Sequence, residues 1–325
     1  MGNQALVVSP YEIADIMLIR AVTNLHPGVG RTGEIVDLPV QKDNLGFPII
    51  YSSSIKGALK SAFWHFDKDY AKAFFGPEPE EREEFTSAIA ILDAFTIVFP
   101  VRSLEGVYAF ATSPLLLHRL NEYIRMAGRE EECKYVSKLL ELNISGRKCY
   151  TSTEAAKLLK LNVKGLENKL IINEEIEAEI DYQKDNEIRG LEQFLNIEKG
   201  RLVLLNNNEA LRAIERSLVR VTRIAIERKR KTVKEGMLWT EEYIPRNTVF
   251  ATLTLYSKAK FSEKFLDKIR SEGGDEKFKR LEKLQGDAEA VRKEFHELLG
   301  KSHFLLIIGG NETIGRGIVE LKVCE

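Results

Sequence analysis

The stretch HPGVGRTGEIVDLPVQ, residues 26 to 41, places Asp37 between Val36 and Leu38 with Pro39 just behind it. A carboxylate in such an apolar step can take a proton, hold a divalent cation, or simply cap its own loop backbone. His26 opens the same stretch and adds a group able to exchange protons near neutral pH. Two other places suit a polyanion. In SSSIKGALKS, Lys56 and Lys60 share one face of the first turns of a helix, where free N–H groups and the positive end of the dipole favour phosphate. The plainer alternative is a pair of solvated lysines. Gly57 inside that helix costs about 1 kcal/mol against Ala, which is easier to understand if something packs closely there. In GGNETIGRG, Gly309, Gly310, Gly315 and Gly317 lack Cβ atoms, so backbone N–H groups can approach a phosphate or another backbone, and Arg316 adds a planar cation. The loop lacks the GxxxxGK[ST] pattern and runs into a strand rather than a helix, so Walker and dinucleotide motifs fail on context. A tight turn is its plainer alternative.

These groups need elements to hold them. YEIADIMLIRAVTNL (11 to 25) has strand-like density of β-branched and apolar residues, and HPGVGRTGE breaks it with glycine and proline. A short extended piece, Phe47 to Tyr51, leads through three serines that offer N-caps into a helix whose face is Ile55, Leu59, Ala62, Phe63 and Phe66. AIAILDAFTIVFPVRS and GVYAFATS form two strands with a turn near Glu105 and Gly106, and a helix capped by Ser113 follows, with Pro114 in its first turn. This β-α-β-β-α order is that of a ferredoxin-like, or RRM-like, sheet. Residues 130 to 200 mix helices with one extended piece, NKLIINEEIEAEIDYQ, and read as inserted elements. Beyond them come a strand RLVLLN, an Asn-capped helix and a strand VRVTRIAIE. ERKRKTVKEGMLWTEEYIPRNTVFATLTLYSK then fits a long hairpin turning near Glu235 and Gly236, with Trp239 and Tyr243 on one face as core patch or stacking wedge. The basic run at its start suits either a solvated edge or contact with a duplex. One or two charged helices interrupted at Gly273 and Gly274, a buried strand SHFLLIIGG and a final strand complete an α+β chain.

With 325 residues and 44% hydrophobic content, the chain can bury a sizeable core. No apolar run approaches the ~20 residues needed to cross a bilayer, and MGNQALVVSPYE lacks the layout of a signal peptide, so a cytoplasmic location with no membrane partner is expected. Cys133, Cys149 and Cys324 are far apart with no CxxC, which indicates neither zinc nor a disulfide framework. Richness in Lys and Glu with few Gln and Cys hints at a thermophilic source. A net charge of −1 counts against binding nucleic acid through bulk charge, so any polyanion site must be local. His65, His118, His296 and His303 have no partner at ligand spacing and suit surface or core roles.

HPGVGRTGEIVDLPVQKD, GFPIIYSSSIKGALK, EGMLWTEEYIP and GGNETIGRGIV, in that order, span nearly the whole chain. Together they resemble the RAMP superfamily of CRISPR proteins, and within it the backbone subunits of type III-B (Cmr) effector complexes. The resemblance implies an RRM-like palm from roughly 8–128 and 201–325, an inserted helical region at roughly 130–200, and a thumb hairpin at roughly 227–250. It implies copies stacked as a filament along a CRISPR guide RNA, other Cmr subunits as partners, and cleavage of single-stranded target RNA paired to the guide. The family's catalytic aspartate falls on Asp37 and its loop histidine on His26. Its acidic and aromatic thumb residues fall in Glu241, Glu242 and Tyr243, with adjacent acids leaving the alignment open by one place. Guide-backbone contacts fall on Lys56 and around Gly315, Arg316 and Gly317, and Lys60, Gly309 and Gly310 join them as candidates from the local arguments.

The implied chemistry is self-cleavage of RNA, in which a 2′-hydroxyl attacks the adjacent phosphorus in line with the leaving 5′-oxygen. Asp37 would take the 2′-OH proton or hold a divalent cation, Mg²⁺ or Mn²⁺, with His26 or a thumb glutamate assisting. A single aspartate is compatible with Mg²⁺, which keeps several waters. Two alternatives are a purely structural RNA-binding subunit and a stand-alone nuclease that processes CRISPR precursor RNA.

Overall fold

A computed structural model describes residues 9–32, 36–78, 80, 85–226, 233–300 and 304–324. β1 (Ile13–Ala21) is followed by a long loop, β2 (Ile49–Ile50), α1 (Ser52–Phe66) and α2 (Lys68–Phe75). The expected helix face is present in α1, where Ile55, Leu59 and Phe63 are buried. Its cap is not a serine. Tyr51 stands at the N-cap without a side-chain bond, and the Ser52 N–H donates instead to Asp93 Oδ1 at 2.7 Å, across 41 residues of chain. Nor does anything in the chain press on Gly57, since a Cβ there would meet open space. β3 (Ile89–Ile91), β4 (Ala94–Ser103) and β5 (Val107–Thr112) follow, then α3 (Pro114–Met126), capped by Ser113 as its sequence suggests.

The inserted region is not only helical. α4 (Lys134–Leu140), β6 (Lys148–Thr151) and α5 (Thr153–Leu159) precede β7 (Lys169–Ile172) and β8 (Ile176–Asp181). The single extended piece expected here is thus two strands, folded back where Asn173 and Glu174 adopt positive φ. Asn-Glu is a weak turn signal, and only pairing of β7 with β8 reveals the bend. α6 (Asp185–Leu195), β9 (Leu202–Leu204) and α7 (Asn207–Ser217) come next, the last capped by Asn206.

β10 (Val219–Ile226) and β11 (Val233–Tyr243) form a separate two-stranded hairpin. This corrects the expected limits: Glu235 and Gly236 lie within β11, and the hairpin occupies 219–243 rather than 227–250. The cationic run 227–232 lies outside the described residues. β12 (Val249–Tyr256) leaves the hairpin and returns to the main sheet, because all eight of its residues are buried and need cover on both faces. α8 (Glu263–Glu272), α9 (Gly274–Lys283) and α10 (Ala288–Gly300) follow, then β13 (Leu305–Ile307) and β14 (Ile318–Cys324). The Gly273–Gly274 interruption divides α8 from α9 as expected, but a second break before Ala288 makes three helices where one or two were expected, and β13 is an edge strand with Leu305 and Ile307 exposed, not a buried one.

The main sheet runs β13-β14-β1-β12-β4-β5-β9-β6-β8-β7, and Ser103 of β4 also pairs with Ile172 of β7, so the inserted half curls back on itself. β1 sits between β14 and β12, both antiparallel. Its alternation divides the core: Met17 and Ile19 face one apolar cluster with α1, α2 and α10, and Ile16 and Leu18 face another with α3, α4 and α6. The first is pinned by Phe63 packing on Phe74, Phe75 and Phe295 at centroid distances of 5.5–5.7 Å. By the same alternation Asp15 faces α10, where its buried Oδ2 accepts from Arg292 Nε at 2.7 Å and lies 3.0 Å from His296 Nε2. The three cysteines are free and buried, and burial pushes the Cys324 thiol up to about 11. No helix among the described residues is long and apolar enough to cross a membrane.

Candidate active site and nucleic-acid interface

β11 is the spine of the site. Its odd residues bond through the backbone to β10, leaving the even ones to bond on the other edge to the loop after β1. Along that free edge, Leu25 exchanges both bonds with Ile244, each at 2.9 Å, and Leu38 donates to the Thr240 carbonyl while accepting from the Glu242 N–H. Asp37 Oδ2 accepts the Thr240 N–H at 2.9 Å, and His26 Nδ1 lies 2.8 Å from the Glu242 carbonyl. A carbonyl only accepts, so Nδ1 carries the proton and Nε2 is left free of it in the neutral ring. Asp37 and His26 thus hang from backbone groups two residues apart on one strand edge, about 7 Å of strand.

The rest of the Asp37 carboxylate is open. Its side chain is 34% exposed, and among the described residues Oδ1 has only the exposed Arg31 guanidinium, at 3.8 Å. The two glutamates differ sharply from it. Glu241, on the odd face, receives Trp239 Nε1–H at 2.9 Å, the Tyr243 hydroxyl, and Arg223 Nε at 3.2 Å. Burial alone would raise its pKa, but the bonds from Tyr243 and Trp239 and the charge of Arg223 outweigh that and hold it below the usual range. Burial and Glu241 together push the Tyr243 phenol up, so it stays a donor. Glu242, on the even face, is clamped by Lys42 at 3.3 Å and by Arg220 through two 3.2 Å bonds. The acids grouped with Asp37 by sequence therefore serve as buried hubs, with their oxygens already engaged.

The glycine loop reaches the same strand. Asn311 Nδ2–H donates to the Tyr243 hydroxyl at 3.1 Å, and the Arg316 guanidinium lies over the Tyr243 ring at 5.0 Å, its buried Nε without a hydrogen-bond partner among the described residues. Gly310 N–H donates to the His26 carbonyl at 2.9 Å. Close approach explains three glycines: a Cβ on Gly309, at φ 88°, would lie 2.4 Å from the His26 carbonyl oxygen, one on Gly317, at φ 87°, 2.6 Å from the Ile308 carbonyl oxygen, and one on Gly28 2.8 Å from His26 Nε2. Gly315 and Gly317 shape the return into β14, with Gly315 open to solvent.

Lys56 and Lys60 part company. Lys60 donates to the Pro77 carbonyl at 3.2 Å and pairs with Glu78 at 3.0 Å, so its charge is already used within the chain. Lys56 is half-buried with no ion partner among the described residues, and burial followed by the charge of Lys60 lowers its pKa. An ammonium held so is best satisfied by an external anion. Gln41 ties this region to the loop, accepting the Tyr51 N–H at 3.0 Å and donating to the Gly28 carbonyl at 3.3 Å. Sequence reasoning missed Gln41, Arg31, Lys42, Arg223 and Asn311. Only Asn311, beside the glycine pair, carried a local signal.

The RAMP superfamily model matches residues 18–320, from β1 to β14 and through every part of this site. The chain belongs to the RAMP superfamily. This RAMP chain is 31% identical over 320 residues to the CRISPR system Cmr endoribonuclease Cmr4 of Pyrococcus furiosus, covering 94% of this chain and 93% of that one. It is 30% identical to the CRISPR system CMR subunit Cmr4 of Saccharolobus solfataricus, over 98% of each chain. Among solved structures, a chain of type III-B Cmr-beta bound to cognate target RNA is similar at TM-score 0.70 and 28% identity, over 96% of this chain and 98% of that one. Oligomeric Cmr4 from Pyrococcus furiosus is similar at TM-score 0.61 and 25% identity, over 95% and 97%.

Proposed function

We propose that this RAMP chain is a guide-binding backbone subunit of a type III-B Cmr effector complex, that its copies stack along the guide RNA, and that it cuts guide-paired target RNA at Asp37. Relatives named as a Cmr endoribonuclease, as part of a target-bound complex and as an oligomer support this reading. In it, the antiparallel strands β14-β1-β12-β4 with their helices are the RRM-like palm and the β10–β11 hairpin is the thumb. Lys56, Arg316 and the backbone of Gly309 to Gly317 hold guide phosphates, while Lys60 serves the fold.

The observation that carries the catalytic assignment is the contrast among the acids: Asp37 alone of the three keeps an oxygen exposed beside the hairpin. The Thr240 N–H fixes Oδ2 and so aims Oδ1. Oδ1 takes the 2′-OH proton as the 2′-oxygen bonds to phosphorus, the P–O5′ bond breaks, and the 5′-oxygen gains a proton. His26 assists from the next position on the strand edge, and Glu241, Glu242 and Tyr243 hold that edge in place.

A metal caged by the protein alone does not fit, since the described residues hold no group of three or more potential ligands. Asp37 Oδ1 can supply one ligand to a Mg²⁺ or Mn²⁺ otherwise bound by water and RNA phosphate, and such an ion would offset the charge that builds on phosphorus. The bond from Thr240 N–H to Oδ2 also favours a second reading, in which Asp37 only fastens the loop to the hairpin. One experiment separates the two. In a complex reconstituted with guide RNA, Asp37→Ala should slow target cutting by about 10²-fold or more while target binding persists. Cutting at the parental rate would leave Asp37 a structural role. The parental complex should stop cutting in EDTA and recover with Mg²⁺ or Mn²⁺, and undiminished cutting in EDTA would leave Asp37 as a base alone.

A further inference from the structure

A second groove, at the base of the hairpin where β10 begins and β11 ends, has no part in the chemistry above. It has a volume of about 440 Å³ and lies where the end of α7, the first residue of β10 and the turn between β11 and β12 meet β4 and β5. The charged residues lining it are all arginines, Arg102, Arg216 and Arg246, and among its apolar walls are Pro100, Tyr108 and Pro245. All three arginines are exposed. In a chain of net charge −1, a groove whose lining bears cations only is a local feature rather than a sample of the surface.

Among the described residues, two of the arginines hold only exposed, exchangeable partners. Arg102 pairs with Glu174 at 3.0 Å and Arg216 with Glu175 at 3.1 Å, but the glutamates are 64% and 41% exposed and lie outside the groove lining. Exposed pairs of this kind contribute little, so the guanidiniums can turn to a phosphate at small cost. Arg246 has no ion partner among the described residues, and its backbone is fixed by donating its N–H to Asn24 Oδ1 at 3.1 Å. Guanidinium forks match phosphate oxygens, and the flat walls of Pro100, Pro245 and Tyr108, whose ring is backed by the Arg201 guanidinium at 4.3 Å, suit a ribose or base.

We propose that this groove holds a nucleotide of the target RNA strand, its phosphate on Arg102, Arg216 and Arg246 and its sugar or base against Pro100, Tyr108 and Pro245. The inference rests on the proposed function, because it takes the hairpin to stand against guide-paired target. Asp37 is bonded to Thr240 on the free edge of β11, and the groove lies at the base of the same hairpin, so a strand held in the groove would be anchored on the element that carries the cutting site. An acidic face of a second protein copy is the competing occupant, but it has no use for the sugar-sized apolar walls.

The test uses the reconstituted complex carrying Asp37→Ala, so that target is bound without being cut, with Arg102→Glu and Arg246→Glu added together. Affinity for guide-matched target should fall at least tenfold and lose part of its salt dependence, with guide content and complex mass unchanged. Arg102→Lys with Arg246→Lys, which keeps the charge, should restore most of the affinity. Target affinity within twofold of the Asp37→Ala parent would overturn the proposal. So would loss of copies from the complex by the glutamate variant, which would make the groove a protein interface. If the Asp37→Ala parent itself fails to bind guide-matched target, the proposed function fails rather than the groove.

Discussion

At the scale of single residues, the chain distinguishes carboxylates by what surrounds them. Asp37 keeps an exposed oxygen; Glu241 and Glu242 spend theirs on neighbours; Asp15 is buried beneath α10 with Arg292 and His296. Burial would raise the Asp15 pKa, but hydrogen bonds from His296 and Arg292 and their charges bring it below the usual range, as with Glu241. A carboxylate depressed in the folded state contributes stability above its unfolded pKa of about 4 and loses it as pH falls through the folded value. The melting temperature should therefore hold from pH 7 to about 5 and drop below about 4, by this linkage. Asp15→Asn should cost about 3 kcal/mol at pH 7, because Arg292 loses its buried counter-charge, and should flatten the acid limb of a melting-temperature profile. An unchanged acid limb would remove Asp15 from the account. None of this was legible locally, since Asp15 in EIADIMLIR reads as one polar step in an apolar strand, and its partners lie some 280 residues on.

At the scale of elements, two glycines in candidate RNA-binding segments should respond in opposite directions. Gly57 in α1 faces open space, so Gly57→Ala should raise stability by about 1 kcal/mol through helix propensity alone. Gly309 stands at positive φ against the His26 carbonyl, so Gly309→Ala should cost about 2 kcal/mol or more and loosen the glycine loop from the site. Chemical denaturation of both variants checks the pair, and equal effects would show that close approach does not set these positions. Elements whose signals are local were legible. α3 and α7 begin at Ser113 and Asn206 as their caps suggest, and β1 and β4 follow their apolar runs. The β7–β8 bend and the hairpin limits were not, because a strand's ends depend on its partner: β11 continues through Gly236 since β10 is there to pair with it.

At the scale of the whole molecule, the proposed function has a nearly neutral chain gather its RNA affinity over many copies. The salt dependence of guide binding should therefore steepen with guide length, roughly in proportion to the copies that fit, because each copy displaces counterions from its own phosphates. Binding measured across a salt series with guides of two lengths checks this, and equal slopes would argue against stacking along the guide. The sequence by itself determined the α+β class, the caps of helices such as α3 and α7, and the identity of the segments at Asp37, Lys56 and Gly309, since these follow from neighbours along the chain. Only the tertiary structure decided how the candidates divide. It hung Asp37 and His26 on one edge of β11, turned Glu241 and Glu242 into hubs, and separated a committed Lys60 from a Lys56 with no ion partner among the described residues. The physical reason is that a side chain's role depends on which of its atoms are already bonded, and those partners come from strands and loops brought together only by folding.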